Sequence, residues 1–118
     1  MTELPIDISL VIVNYKTPQL TDKCLASIYE HTLDLNFELI LVDNDSQDES
    51  ELLIRGKYPN VIWINSGSNA GTSVAYNIGV RAAKGNYVLI MNSDTEFLDN
   101  AIKIALDEYI RIEQIGRA

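Results

Sequence analysis

A single cysteine, Cys24, among 118 residues excludes an internal disulfide and leaves no partner thiol for a zinc site. It reads as a small core residue of a helix. No apolar run approaches the roughly 20 residues a membrane helix needs, and the N-terminus lacks a basic segment leading into an apolar signal region. The expected location is therefore cytoplasmic, with the inner face of a membrane as the alternative placement. Basic residues are scarce, 9 Lys and Arg against 17 Asp and Glu, and none are clustered. That balance, a net charge of −8, excludes nucleic acid as a partner, since phosphate-backbone binding relies on grouped cations. One histidine, His31, closes a helix, where it suits the negative end of the dipole. Internal repeats, linkers and low-complexity stretches are absent.

What is present is the composition of one globular domain, 1–118, with 47% hydrophobic and 22% charged residues. The acidity sets a condition on any phosphorylated ligand. An acidic pocket repels a diphosphate unless a divalent cation lies between them, and carboxylates with hydroxyl and amide oxygens suit Mg²⁺ or Mn²⁺.

Four short apolar runs alternate with helical patterns. Ile8 to Val13 predicts a buried strand, followed by Thr17 as cap, Pro18 in the first turn and a helical face of Leu20, Cys24, Leu25 and Ile28. Phe37 to Val42 predicts a second strand, and Leu52, Leu53 and Ile54 anchor a short helix stopped by Gly56 and Pro59. Val61 to Ile64 predicts a third, with Trp63 packed against a helix, before a polar loop from Asn65 to Gly71 and a small-residue helix to about Lys84. Gly79 inside that helix implies close approach to the sheet, because glycine there costs roughly 1 kcal/mol against alanine. Asn77, a poor helix former, is expected to be a buried polar anchor. Tyr87 to Met91 predicts a fourth strand covered on both faces, and Leu98, Ala101, Ile102, Ala105, Leu106, Tyr109 and Ile110 define a final amphipathic helix, Asp99 to about Glu113.

The β-α-β-α-β-α-β-α order implies an α/β fold, a Rossmann-like parallel sheet of about four strands with right-handed crossovers, helices on both faces and strand order 3-2-1-4. Polar residues follow each strand: Asn14 and Tyr15, then Asp43 to Ser50, then Asn65 to Asn69, then Asn92, Ser93, Asp94 and Glu96. Ligands bind beyond the carboxyl ends of strands in such sheets, so Asp94 and Asp43 are the leading functional candidates. Each cluster also has an ordinary structural reading: Ser46 or Asp48 can cap the second helix, and Asn-Ser-Asp-Thr can be a capped turn. The loop before Gly71 is neither a P-loop nor the spaced dinucleotide fingerprint, although a helix start can hold an anion.

In order and spacing, Val11-Ile12-Val13-Asn14-Tyr15, Leu41-Val42-Asp43-Asn44-Asp45-Ser46 with Asp48, Asn69-Ala70-Gly71 with Asn77-Ile78-Gly79, and Gly85-Asn86-Tyr87-Val88 through Asn92-Ser93-Asp94 resemble the nucleotide-binding half of a GT-A glycosyltransferase of the inverting family 2, rhamnosyltransferase-like branch. The resemblance covers about Ser9 to Phe97. It implies an enzyme that binds a UDP- or dTDP-sugar with Mg²⁺ or Mn²⁺ and transfers the sugar to an acceptor hydroxyl, on a glycan or a lipid-linked acceptor, in cell-surface polysaccharide synthesis. Asn14, Tyr15, Asp43, Asn69, Asn77 and Ser93 would line the nucleotide, with Asp43 accepting from the imide N–H of uracil or thymine. Asp94 matches the last acid of the family's Asp-x-Asp motif and would ligate the metal. Asn92 replaces the first acid of that motif as a neutral oxygen ligand.

The family's general base has no match here. It is expected beyond residue 118, in an acceptor-binding half, so the chain reads as an N-terminal part truncated before that half, and exposed surface at the truncation makes a homodimer an expectation. Two other readings compete: a non-catalytic binding or interaction module on the same fold, and a phosphoacceptor receiver domain. The latter needs paired acids after the first strand and a late lysine beyond a fifth strand, neither of which is present.

Overall fold

The computed structural model describes residues 5–116. Eight elements alternate: β1 (Ile8–Asn14), α1 (Pro18–His31), β2 (Phe37–Asp43), α2 (Ser50–Lys57), β3 (Ile62–Asn65), α3 (Thr72–Ala82), β4 (Tyr87–Asn92) and α4 (Ala101–Gly116). The four strands form one parallel sheet in the order β3-β2-β1-β4, as the alternating pattern implies. β1 is central and buried along its whole length. Its even-numbered residues, with Leu39, Leu41 and Met91, pack against Cys24, Leu25 and Ile28 of α1, Ile54 of α2, and Ile102 and Leu106 of α4. Val11, Val13, Ile40 and Val42 point to the opposite face and meet Ala75 of α3. Helices therefore cover both faces, three on one side and one on the other.

The lone helix sits close to the sheet at Gly79, where a methyl group would run into Val11 Cγ1 and press on Val42 Cγ2 at 3.2 Å. The close approach expected of that glycine is thus present. α3 lies over β1 and β2, so the same face of β4 is left open, with Val88 42% and Ile90 50% exposed. β4 is an edge strand covered on one face, not on both. Trp63 packs against the larger core cluster, in keeping with its expected packing role.

Several apolar side chains face solvent where helical spacing placed them inside. Leu20 is exposed, and the buried face of α1 runs instead through Pro18, Thr21, Cys24, Leu25, Ser27 and Ile28. In α2 only Ile54 of the three consecutive apolar residues is buried, Leu52 being 82% exposed. An eight-residue helix can turn one residue in three inward, and the neighbouring Tyr58 and Val61 supply the rest of that contact. Leu98 precedes α4 in an exposed loop. That loop is tied to the one after α1, because Asn100 Oδ1 accepts the Leu33 N–H at 3.1 Å and Asn100 Nδ2 donates to the Leu33 carbonyl at 3.3 Å. Met1 to Leu4 lie outside the described residues, and no described helix is long and apolar enough to cross a membrane.

Candidate functional site

Parallel pairing brings the carboxyl ends of all four strands to one rim. Asn14 is in register with Asp43, Asp43 with Asn65, and Val13 with Asn92. Asp43 and Asp94 therefore flank the end of β1 from its two neighbours in the sheet.

On the β2 side the polar groups are buried and joined. Asp43, 5% exposed, accepts three hydrogen bonds: Oδ1 from Asn14 Nδ2 at 2.8 Å and from the Ser46 hydroxyl at 2.6 Å, Oδ2 from the Ser46 N–H at 3.0 Å. A carboxylate has about four lone-pair positions, so one remains, on Oδ2. Ser46 Oγ also accepts the Lys16 N–H at 2.8 Å. Ser46 thus braces Asp43 and is not the cap of α2. The residue before the N-cap Glu49, Asp48, accepts the Ser50 N–H on Oδ1 at 2.9 Å, so the turn into α2 is closed by Asp48 and the cap itself has no side-chain bond. The loops carrying these residues contain three non-glycine residues in the left-handed region, Lys16, Asp45 and Gln47, with φ of 55°, 64° and 55°. Such backbone costs free energy and is held here by the side-chain bonds it allows. The network continues to the β3–α3 loop, where Asn44 Nδ2 donates to Asn69 Oδ1 at 2.9 Å and the Ser66 hydroxyl donates to Asn44 Oδ1 at 3.2 Å.

On the β4 side lies an open cleft of about 320 Å³, lined by Tyr15, Thr17, Thr72, Tyr76, Asn92, Ser93 and Asp94, among others. Asp94 is exposed there, just past the strand end. The Tyr76 hydroxyl of α3 lies 3.2 Å from both the Met91 carbonyl and Asn92 Oδ1 and shares its one proton between them, so it fixes the strand end from above. Burial first, and the nearby Asp94 charge second, push the Tyr76 phenol above its ordinary pKa. The same two causes raise the Cys24 thiol to about 11, leaving it protonated and inert at neutral pH. A larger groove of about 490 Å³ runs between β4 and α4, but its lining carries no carboxylate and nothing suited to a phosphate.

Of the residues singled out in the sequence, Asn14 and Asp43 meet directly, while Tyr15, Asn92, Ser93 and Asp94 share the cleft. Asn69 joins the first group through Asn44. Asn77 does not join either; its side chain is exposed, and the buried-anchor expectation fails because its neighbour Tyr76 turns toward the strand end instead. Tyr76, Thr21 and the bracing role of Ser46 escaped the sequence reading. The spacing Asp43-x-x-Ser46 is the one signal that could have shown a side-chain-closed turn.

The donor set fits a cation shared with a ligand. Among the described residues no three His, Cys, Asp or Glu side chains gather. Mg²⁺-type ions are commonly held by one or two carboxylates plus substrate phosphates. Asp94 offers a carboxylate, and Asn92 Oδ1 keeps a lone pair beyond the one taken by Tyr76.

The four-stranded parallel sheet ordered 3-2-1-4 matches the fold of solved GT-A glycosyltransferases. The profile of the Glycosyl transferase family 2 matches residues 9–115, and the chain belongs to that family. Among curated proteins it is 34% identical over 92 residues to the Bacillus subtilis (strain 168) minor teichoic acid biosynthesis protein GgaB, covering 75% of this chain and 10% of that one. It is 36% identical over 92 residues to the poly(ribitol-phosphate) beta-glucosyltransferase of Bacillus spizizenii, covering 74% and 14%. Among solved structures, S. aureus TarS 1-349 superposes with a TM-score of 0.75 at 25% identity, over 85% of this chain and 31% of that one. TarS 1-349 is also known in complex with UDP and with UDP-GlcNAc. The chain spans only a small part of the length of these relatives.

Proposed function

We propose that this chain is the nucleotide-sugar-binding part of an inverting glycosyltransferase, taking a UDP- or dTDP-sugar with Mg²⁺ or Mn²⁺ and serving cell-surface polysaccharide synthesis. The observation that carries this reading is the placement of Asp43 and Asp94 on either side of the β1 end, one braced and with a single open lone pair, the other free in a cleft. Uracil and thymine present an N3–H that such a carboxylate accepts, whereas cytosine presents a lone pair that it repels. Tyr15, Asn69 and Ser93 border the nucleotide, the fully buried Asn14 acts through Asp43, and Asp94 with Asn92 would hold the cation. A cation held there would supply neutralisation of the charge on the departing diphosphate. In the transfer, the anomeric carbon loses its bond to the β-phosphate oxygen and gains one to the acceptor oxygen, whose proton passes to a general base. Neither Asp43 nor Asp94 is free for that task. No described residue is assigned as that base; the matched relatives are several times longer than this chain, and the base and acceptor site are assigned to that additional length.

The UDP and UDP-GlcNAc complexes of TarS support a uridine ligand, and the teichoic acid biosynthesis named for GgaB supports the cell-surface setting. Isothermal calorimetry of the chain with UDP and CDP, with and without Mn²⁺, tests the reading. UDP binds in preference to CDP, more tightly with Mn²⁺, and Asp43→Ala loses the preference by about tenfold or more, the worth of a hydrogen bond to a charged group. Equal affinity for UDP and CDP in the unaltered chain contradicts it.

A further inference from the structure

Thr21 is fully buried in α1, among Cys24, Leu25 and Ile28. A threonine inside a helix commonly bonds back to its own preceding turn. Here the hydroxyl reaches out of the helix and donates to Asn14 Oδ1 at 2.6 Å. The Thr17 hydroxyl is a second, longer donor to the same oxygen, at 3.4 Å. Asn14 is itself fully buried, so the orientation of its amide is decided by these partners. With Oδ1 turned to Thr21, the two Nδ2 hydrogens face Asp43 Oδ1 at 2.8 Å and Ser46 Oγ at 3.3 Å. The reversed amide would set an oxygen against the Asp43 carboxylate, two acceptors with no proton between them.

From this chain of contacts we infer that Thr21 is a positioning residue for pyrimidine selection: its hydroxyl locks the Asn14 amide, and the amide holds Asp43 with its one open lone pair toward the ligand. The inference rests on the reading of Asp43 as the base-recognising group. Thr21 touches no ligand. Its influence runs α1 to β1 to β2, through two buried hydrogen bonds. Losing the hydroxyl leaves Asn14 Oδ1 with only the long Thr17 contact, so the amide is held less firmly and the aim of Asp43 then rests on its two bonds from Ser46. Binding that depends on the aim of Asp43 suffers, while the metal-linked grip on the diphosphate at Asp94, on the other side of β1, does not.

The test is the ratio of UDP to CDP affinity, at one fixed Mn²⁺ concentration, for the unaltered chain, Thr21→Val, Thr21→Ala, Thr21→Ser and Asp43→Ala. Thr21→Val and Thr21→Ala lower the ratio about five- to tenfold, by weakening UDP with CDP unchanged, the scale of one buried hydrogen bond. Thr21→Ser, which keeps the hydroxyl, stays within about twofold of the unaltered chain. If the valine variant does not fold, as judged by circular dichroism, the smaller alanine variant carries the comparison. A ratio that survives both hydroxyl deletions while Asp43→Ala abolishes it overturns the role of Thr21 alone. A ratio that survives Asp43→Ala overturns the base-recognition reading and, with it, this one. A serine variant as poor as valine also contradicts the inference, because the methyl group and not the hydroxyl would then be what matters.

Discussion

Asp94→Ala removes the Mn²⁺ dependence of UDP binding. The Asn92 oxygen that remains is neutral and already accepts the Tyr76 hydroxyl, so it cannot hold a divalent ion under a diphosphate unaided. Loss of an outer-sphere partner of a metal commonly costs 10–100-fold in affinity. Loss of the one charged ligand is expected to cost at least roughly a hundredfold in the metal-linked part of the affinity, about 2.7 kcal/mol. Calorimetry with UDP at saturating Mn²⁺ reads it. The fold gives an independent check on the same variant. The Asp94 charge is the second of two causes holding the Tyr76 phenol above its ordinary pKa, after burial. Removing a nearby anion favours the phenolate, so Tyr76 titrates at lower pH in Asp94→Ala. A variant that keeps full Mn²⁺ dependence places the cation elsewhere.

Gly79→Val is the most damaging single change to the fold expected of any residue in α3. Even a methyl group at position 79 would collide with Val11 Cγ1, a buried β-branched side chain with no room to withdraw, and press on Val42 at 3.2 Å. Overpacking of this kind costs about 1–3 kcal/mol, and a branched side chain belongs at the upper end. For Gly79→Ala the intrinsic helix preference returns roughly 1 kcal/mol, so its loss is smaller. Valine recovers less and adds two more carbons. The expected loss is about 3 kcal/mol, a fall in Tm of roughly 10 °C for a chain of this size. Thermal denaturation followed by circular dichroism measures it. Combining Gly79→Ala with Val11→Ala should cost less than the sum of the two, since the smaller residue makes room for the new methyl group. Full additivity would mean that the two positions are not in contact.

The central strands were legible because β1 and β2 are buried on both faces and so read as unbroken apolar runs. Their alternation with helices then left few topologies open. β4 has the same kind of run, Tyr87 to Met91, yet one of its faces is open. An apolar run records what a strand can bury and not where it lies in the sheet. The same limit explains Leu52 and Leu53, where three consecutive apolar residues do not reveal which one turns inward. The strand-end acids were legible because topology alone brings those positions to one rim. Their supports were not. Thr21 reads as a polar residue on a helix and Tyr76 as one more aromatic, because a hydrogen bond to a residue 7 or 16 positions away has no periodic signature, and Ser46 reads as a helix cap because the Asp43-x-x-Ser46 spacing suits a cap as well as a closed turn. Asn77 was singled out by its poor helix propensity, but the inward contact at that level of α3 belongs to Tyr76.

The most direct test is a crystal structure of the chain grown with UDP and Mn²⁺. It is expected to show the uracil N3–H within hydrogen-bond reach of Asp43 Oδ2, with Mn²⁺ bound by Asp94 and bridging the two phosphates. A nucleotide seated away from the β1 end, or Mn²⁺ on the phosphates with Asp94 turned into solvent, would contradict the account.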